Sequence, residues 1–172
     1  MMIKFLKLLL FILVSIECSF AAKFTEYAGF RVGGLSGLPN SNAGVNFTVT
    51  FDEQSRKYFE DGDLGTIWSA CSSDWYCVDS RILTFAFRQE MIADSIQAWE
   101  FGEFKYFLKG ALSQGKETIY VVDVQYKKSN SVVNTVFYSK ERGVINFLHK
   151  TENEIVYYSL LNRIGLLSLN VN

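Results

Sequence analysis

From Glu103 onward, apolar side chains recur at every second position in short runs separated by glycine, asparagine and serine. Phe104, Tyr106 and Leu108 alternate with polar neighbours, and Gly110 to Lys116 reads as a turn region. Tyr120, Val122, Val124 and Tyr126 then fall on one face, Ser129-Asn130-Ser131 turns the chain, and Val132 to Tyr138 is extended. Lys140-Glu141-Arg142-Gly143 turns it again before Val144 to Leu148 and Ile155 to Leu161, and a last turn at Asn162 to Gly165 leads to Leu166 to Val171. β-branched and aromatic runs at period two, bounded by turn residues, are the pattern of half-buried strands joined in sequence. This half of the chain predicts an antiparallel meander.

The first half is less regular. Val45, Phe47, Val49 and Phe51 alternate with Asn46, Thr48 and Thr50, which predicts a strand. Arg81 to Gln89 is a longer strand candidate, with Leu83, Phe85 and Phe87 on its more apolar face. In Glu90 to Glu100, Ile92, Ile96 and Trp99 have helical spacing while Ile96 and Ala98 also fit a strand, so a helical turn or two leading into a strand is expected. Two stretches read as irregular. Lys23 to Asn42 begins with Phe24, Tyr27, Phe30 and Val32 and passes into the glycine-rich Gly33 to Asn42 loop, while Asp52 to Gly65 is polar and acidic. The predicted fold is mainly β: a meander in a sandwich or barrel-like domain with at most one or two short helices, its sheet covering the earlier strands. No fixed-period repeat points to a solenoid or propeller.

The N-terminus changes what counts as the domain. Lys4 and Lys7 precede an apolar run from Leu8 to Ile16, and Ser19-Phe20-Ala21 supplies small residues at a cleavage position. This is the layout of a secretory signal peptide over residues 1–21, leaving a single β-rich domain over 22–172. The run is shorter than the roughly 20 residues that a spanning helix needs, so no transmembrane segment is expected in the mature chain. Glu17 before Cys18 argues against a lipoprotein. The protein is therefore expected to be exported, to the periplasm in a Gram-negative host and otherwise to the extracellular space. Removing Lys4, Lys7 and Glu17 from 17 basic and 18 acidic groups leaves 15 and 17, a net charge of −2. With no basic face, a nucleic-acid partner is not expected.

Export also decides the cysteines. Of the three, Cys18 lies in the signal, and Cys71 and Cys77 form an even pair that an oxidising compartment would bridge. The bridge closes Cys-Ser-Ser-Asp-Trp-Tyr-Cys next to a strand, where loops on a rigid sheet tend to carry function. Asp74, Trp75 and Tyr76 are the candidate binding residues, because tryptophan and tyrosine dominate interface hot spots and a pre-ordered loop loses less entropy on binding. The competing role for Trp75 is to fold back and cap the core. No metal site is expected here: two thiols and His149 are too few soft ligands for a closed zinc site.

Other motifs fall short of a chemistry. The glycine-rich loop lacks the Gly-Lys-Ser/Thr of a phosphate loop, and Glu60-Asp61-Gly62-Asp63 lacks the full calcium-loop pattern and reads as a solvated turn. Asn46-Phe47-Thr48 matches a glycosylation triplet but lies in a strand. His149 is the lone histidine, no Gly-x-Ser-x-Gly elbow accompanies it, and it reads as a surface residue without a role. No cofactor is implied. The first functional expectation is an exported non-enzymatic module, of inhibitor or immunity type, that contacts another protein through loops at one end of its sheet. The alternatives are a carrier of a small apolar ligand in an aromatic-lined cavity, and a hydrolase using Glu100 and Glu103 as a carboxylate pair.

Overall fold

A computed structural model describes residues 24–34, 47–61, 64–72, 74–93 and 96–169. The expected signal peptide over 1–21, most of the glycine-rich loop, Asn46 and the end of the expected last strand lie outside the described residues. Twelve strands and one short helix are seen among the described residues. They are β1 (Phe24–Gly34), β2 (Phe47–Asp52), β3 (Lys57–Glu60), β4 (Thr66–Ile67), β5 (Tyr76–Asp79), β6 (Thr84–Phe87), α1 (Gln89–Ala93) and β7 (Ala98–Phe101). The long meander follows as β8 (Phe104–Gln114), β9 (Glu117–Tyr126), β10 (Val132–Ser139), β11 (Gly143–Lys150) and β12 (Glu154–Leu160).

Every pairing is antiparallel. Ten strands form one sheet in the order β4-β3-β2-β1-β12-β11-β10-β9-β8-β7, and β5 and β6 form a separate two-stranded sheet. The meander is as the alternation predicts, in a mainly β domain of sandwich or barrel-like kind. The early strands do not pack beneath it as expected. Tyr27 of β1 stands opposite Val49 of β2 on one side and Leu160 of β12 on the other, so β1 to β4 extend the same sheet. An extended β12 edge carries backbone donors and acceptors that must be paired, and β1 satisfies them.

The β5–β6 hairpin stands outside that sheet and packs against its aromatic face. All four residues of β6 are buried, which explains why its apolar pattern is nearly continuous rather than alternating. Phe85 meets Tyr138 at 5.5 Å and Tyr106 at 6.4 Å, and Phe87 lies 4.7 Å from Tyr138. Trp99 donates its indole N–H to the Ala86 carbonyl at 2.6 Å. On the other half of the sheet Phe147 stacks on Tyr158 at 4.4 Å, and Tyr27 sets its edge against Phe51 and Phe147. Such offset and edge-on pairs are the favoured packing of aromatic quadrupoles and account for the abundance of Phe and Tyr.

Several boundaries differ from the sequence reading. Phe24 to Gly34, read with the glycine-rich stretch as irregular, is the eleven-residue strand β1, and the expected strand from Arg81 to Gln89 is cut to Thr84–Phe87, with a turn before it and the helix beginning at Gln89. The polar stretch after Asp52 contains β3, whose Tyr58 is buried against Phe51, so one inward aromatic suffices where β2 supplies the ladder. The strand beginning at Phe104 runs through Gly110 to Gln114 across a register shift between Leu108 and Gly110, and the turn is at Gly115. Leu166 to Leu169 is turn rather than strand. Leu166 is fully buried, its carbonyl accepts from Val144 N at 2.8 Å, and Gly165 N donates to Arg142 O at 2.6 Å. Gly143 has φ 78°, and a Cβ there would strike the carbonyl oxygens of Leu166 and Gly165, so this close crossing requires glycine. No helix among the described residues is long and apolar enough to cross a membrane.

Candidate binding site at the disulfide end

The segment after β4 leaves the sheet edge and carries the chain to β5. Trp68 anchors it, buried against Phe51 at 5.7 Å. Cys71 and Cys77 are disulfide-bonded with Cα atoms 6.1 Å apart, an ordinary span for a bridge. Within the loop Trp75 N donates to Ser72 O at 3.0 Å, closing a tight turn. Asp74 is exposed at its outer side. Tyr76 is 41% exposed and lies flat on Phe87, its ring 5.4 Å away and tilted only 14°.

Trp75 takes the inward role. Its half-buried ring meets Phe101 at 4.7 Å, and the Arg88 guanidinium sits 4.8 Å over its face. Trp75 therefore fixes the base of the loop, leaving Asp74 and Tyr76 as the outward pair. The loop also forms one wall of a groove of about 330 Å³, with Trp68, Trp75 and Tyr76 on that side, Glu53 and Arg56 on another, and Leu166 and Leu167 closing it. An apolar floor with a charged rim is the usual make-up of a contact surface. The far walls come from the β2–β3 turn and the segment after β12. No local pattern connects these to the cysteine loop, so the sequence could not show them.

His149, expected at the surface, is more enclosed than that reading placed it. It is part-buried and lines a cleft of about 500 Å³ with Arg31, Arg81, Glu60 and Glu154 at the opposite end of the sheet. Burial first, and Arg81 second, hold its pKa below the ordinary value, against the pull of Glu154 and Glu60. The charges around it are arranged in pairs. Arg81 donates from one nitrogen to both Glu60 oxygens at 2.8 and 2.9 Å, and Arg31 lies 3.4 Å from Glu154. The Asp61 carboxylate accepts from Thr48 N at 3.1 Å. Lone-residue reasoning missed this cleft because its parts come from β1, β3, β11, β12 and the β5–β6 turn.

Glu100 and Glu103 stand on either side of the β7–β8 turn, and their surroundings do not suit paired acid–base work. Glu100 is held by Lys127 at 2.7 Å and by Lys105, whereas Glu103 accepts from Tyr126 at 2.8 Å and from Lys128. Both carboxylates are exposed, and these bonds lower both pKa values, Lys127 acting first on Glu100 and Tyr126 first on Glu103. A glycosidase pair needs one carboxyl kept protonated as the acid. The interior, where a barrel carrier would hold an apolar ligand, is occupied by the β6 side chains. Among the described residues no three His, Cys, Asp or Glu side chains gather to hold a metal ion. No known protein family matches the chain, and neither a curated protein nor a solved structure does.

Proposed function

We propose that the protein is an exported, non-enzymatic module that binds another protein through the disulfide end of its sheet. The observation that carries this reading is the covalently closed loop that turns Trp75 inward as its own anchor and leaves Asp74 and Tyr76 exposed beside a groove with a charged rim. A loop ordered before binding loses little entropy when a partner docks, and an exposed tyrosine on an aromatic base is the side chain most often found at the centre of such contacts. The disulfide supports export, because bridges of this kind persist in oxidising compartments.

The test is site-specific photo-crosslinking in the exported fraction of the native host. A photoreactive residue at Asp74 is expected to give one discrete cross-linked protein, and the same residue at Glu152, in the turn at the other end, to give none. Tyr76→Ser should abolish the Asp74 cross-link while the domain stays folded at the assay temperature, with a lower unfolding midpoint from the lost stack on Phe87. Equal cross-linking from both ends, or capture that survives Tyr76→Ser, would remove this surface as the binding site.

A further inference from the structure

The large sheet ends at β4 on one side and at β7 on the other, and both strands are blunted. β4 is two residues long, and β7 carries Glu100, held by Lys105 and Lys127. Short strands and charged side chains stop a sheet edge from recruiting another chain. β8 has neither protection where it outruns β7. β7 pairs with Phe104 to Phe107, Leu108 N donates to Gln97 O at 2.8 Å, and from Gly110 to Gln114 only β9 pairs with β8 among the described residues. Gly110-Ala111-Leu112-Ser113-Gln114 is exposed throughout, carries no charge or proline, and runs without a register shift. A Cβ built at Gly110 would meet nothing within 4 Å.

The hairpin turn sets which groups of that stretch are open. Gly115, at φ 66°, and Lys116 join the paired Gln114 and Glu117 as a two-residue turn. The pair flanking such a turn is hydrogen-bonded, and the pattern alternates from there. Gly110, Leu112 and Gln114 therefore direct their N–H and C=O to β9, while Ala111 and Ser113 direct theirs away from it. A strand that fits here runs antiparallel, has outward groups at the same spacing and brings no charge onto an uncharged edge. The same stretch of a second copy meets all three conditions. About a twofold axis at Leu112, Ala111 stands opposite Ser113 of the other copy and Ser113 opposite its Ala111, giving about four hydrogen bonds. Leu112, 56% exposed, then meets its own counterpart across the close non-hydrogen-bonded pair, on a face that it shares with Ile119, Val121 and Phe137. Lys109 falls opposite Gly115, so like charges are not set directly against each other. We propose that the protein pairs with a second copy of itself along this edge, Gly110–Gln114 antiparallel to Gly110–Gln114, as a closed twofold dimer.

Five residues a side bury less than the roughly 1,200 Å² of a standard interface, so the dimer is expected to be weak. The full chain, exported and oxidised, is followed by sedimentation equilibrium from about 10 μM to about 1 mM, the range of weak association. A monomer–dimer equilibrium is expected, with the amide resonances of Ala111 and Ser113 moving with concentration more than those of Leu112 and Gln114, which are already bonded to β9. Ser113→Pro removes an outward N–H and leaves the β9 ladder intact, and Leu112→Glu sets two like charges against each other at an exposed position. Because the axis makes each change act twice, either should raise the dissociation constant about ten-fold or more. Thermal melts check both folds, and Leu112→Glu decides the matter if Ser113→Pro unfolds. Tyr76→Ser, at the disulfide end, should leave the equilibrium as it is, which separates self-association from partner binding there. A chain that stays monomeric to about 1 mM leaves the edge to a strand of another protein or to none, and overturns the proposal. So does a dimer that survives Leu112→Glu, or one that is lost with Tyr76→Ser.

Discussion

The two ends of the β5–β6 hairpin are held by opposite means. At the cysteine end a disulfide closes the loop, and rings do the rest: Trp75 on Phe101, and Tyr76 on Phe87. At the Ser80–Leu83 turn there is no covalent link, and besides the turn's own Ser80–Leu83 bonds and the Arg81–Glu60 pair, one buried side chain of the sheet bonds its backbone. Asn134 is 2% exposed, accepts from Thr84 N at 3.0 Å, and donates to Ile82 O at 2.9 Å and Leu148 O at 3.2 Å. The first arrangement tolerates change because apolar contacts are non-directional and the bridge acts largely on the unfolded chain. The second is a buried polar network, whose members are costly to leave unsatisfied. A hairpin stapled at one end and hydrogen-bonded at the other should therefore open first at its polar turn.

The largest expected effect is at that turn. Asn134→Ala strands the Thr84 N–H and the Ile82 carbonyl and should cost about 3 kcal/mol, measured by urea unfolding. A loss no greater than that of an average core substitution would mean that the turn is held by something else. Replacing both cysteines by serine should cost less, about 2 kcal/mol for so short a loop. Hydrogen exchange on that variant should speed up near Cys77 while the Ile82 and Thr84 amides keep their protection. If both ends loosen together, the hairpin is one unit and the contrast fails.

The smallest effect concerns pH and belongs to the polar end alone. His149 Nδ1 stands 3.4 Å from the Asn134 Nδ2, so a neutral ring can accept there, whereas a protonated nitrogen would meet another donor. The groups facing the ring are Arg81 and Arg31 as cations and Glu60, Glu154 and Asp61 as anions. In the fold the ring's pKa lies below its ordinary 6.5, so the unfolded chain takes up its proton at a higher pH than the native one. Stability contributed by the neutral ring is complete above about 6.5 and is lost as the pH falls towards the lowered native value. The urea midpoint should fall over that window, and His149→Gln should remove that part of the drop. An unchanged pH profile in the variant would detach His149 from the turn.

How much of this was readable beforehand differs from element to element. β9 to β12 were legible because each has one wet face and one dry face, so period two survives in the residues themselves. β6 was harder, since burial on both sides erases the alternation, and β3 was hidden because one aromatic, Tyr58, carries its inward face. The disulfide followed from counting cysteines in a chain whose N-terminus reads as an export signal, and the aromatic pair beside it marked the loop as a candidate site. The direction of Trp75 did not follow, because Phe101 and Arg88, which fix it, lie in other elements. The same holds for the placing of His149 and for the stretch of β8 that β7 leaves uncovered.

The sequence by itself determined the β class, the meander, the bridge and the aromatic wealth of the core, since each depends on residue type, on spacing of two, or on a count. Only the tertiary structure decided that β1 continues the meander sheet through β12, that β5 and β6 pack on its aromatic face, and that the loop's tryptophan faces inward while Asp74 and Tyr76 stay exposed. Those outcomes depend on which distant edge satisfies a strand's backbone and which distant ring covers a side chain. Such pairings are set by long-range register, which leaves no local mark.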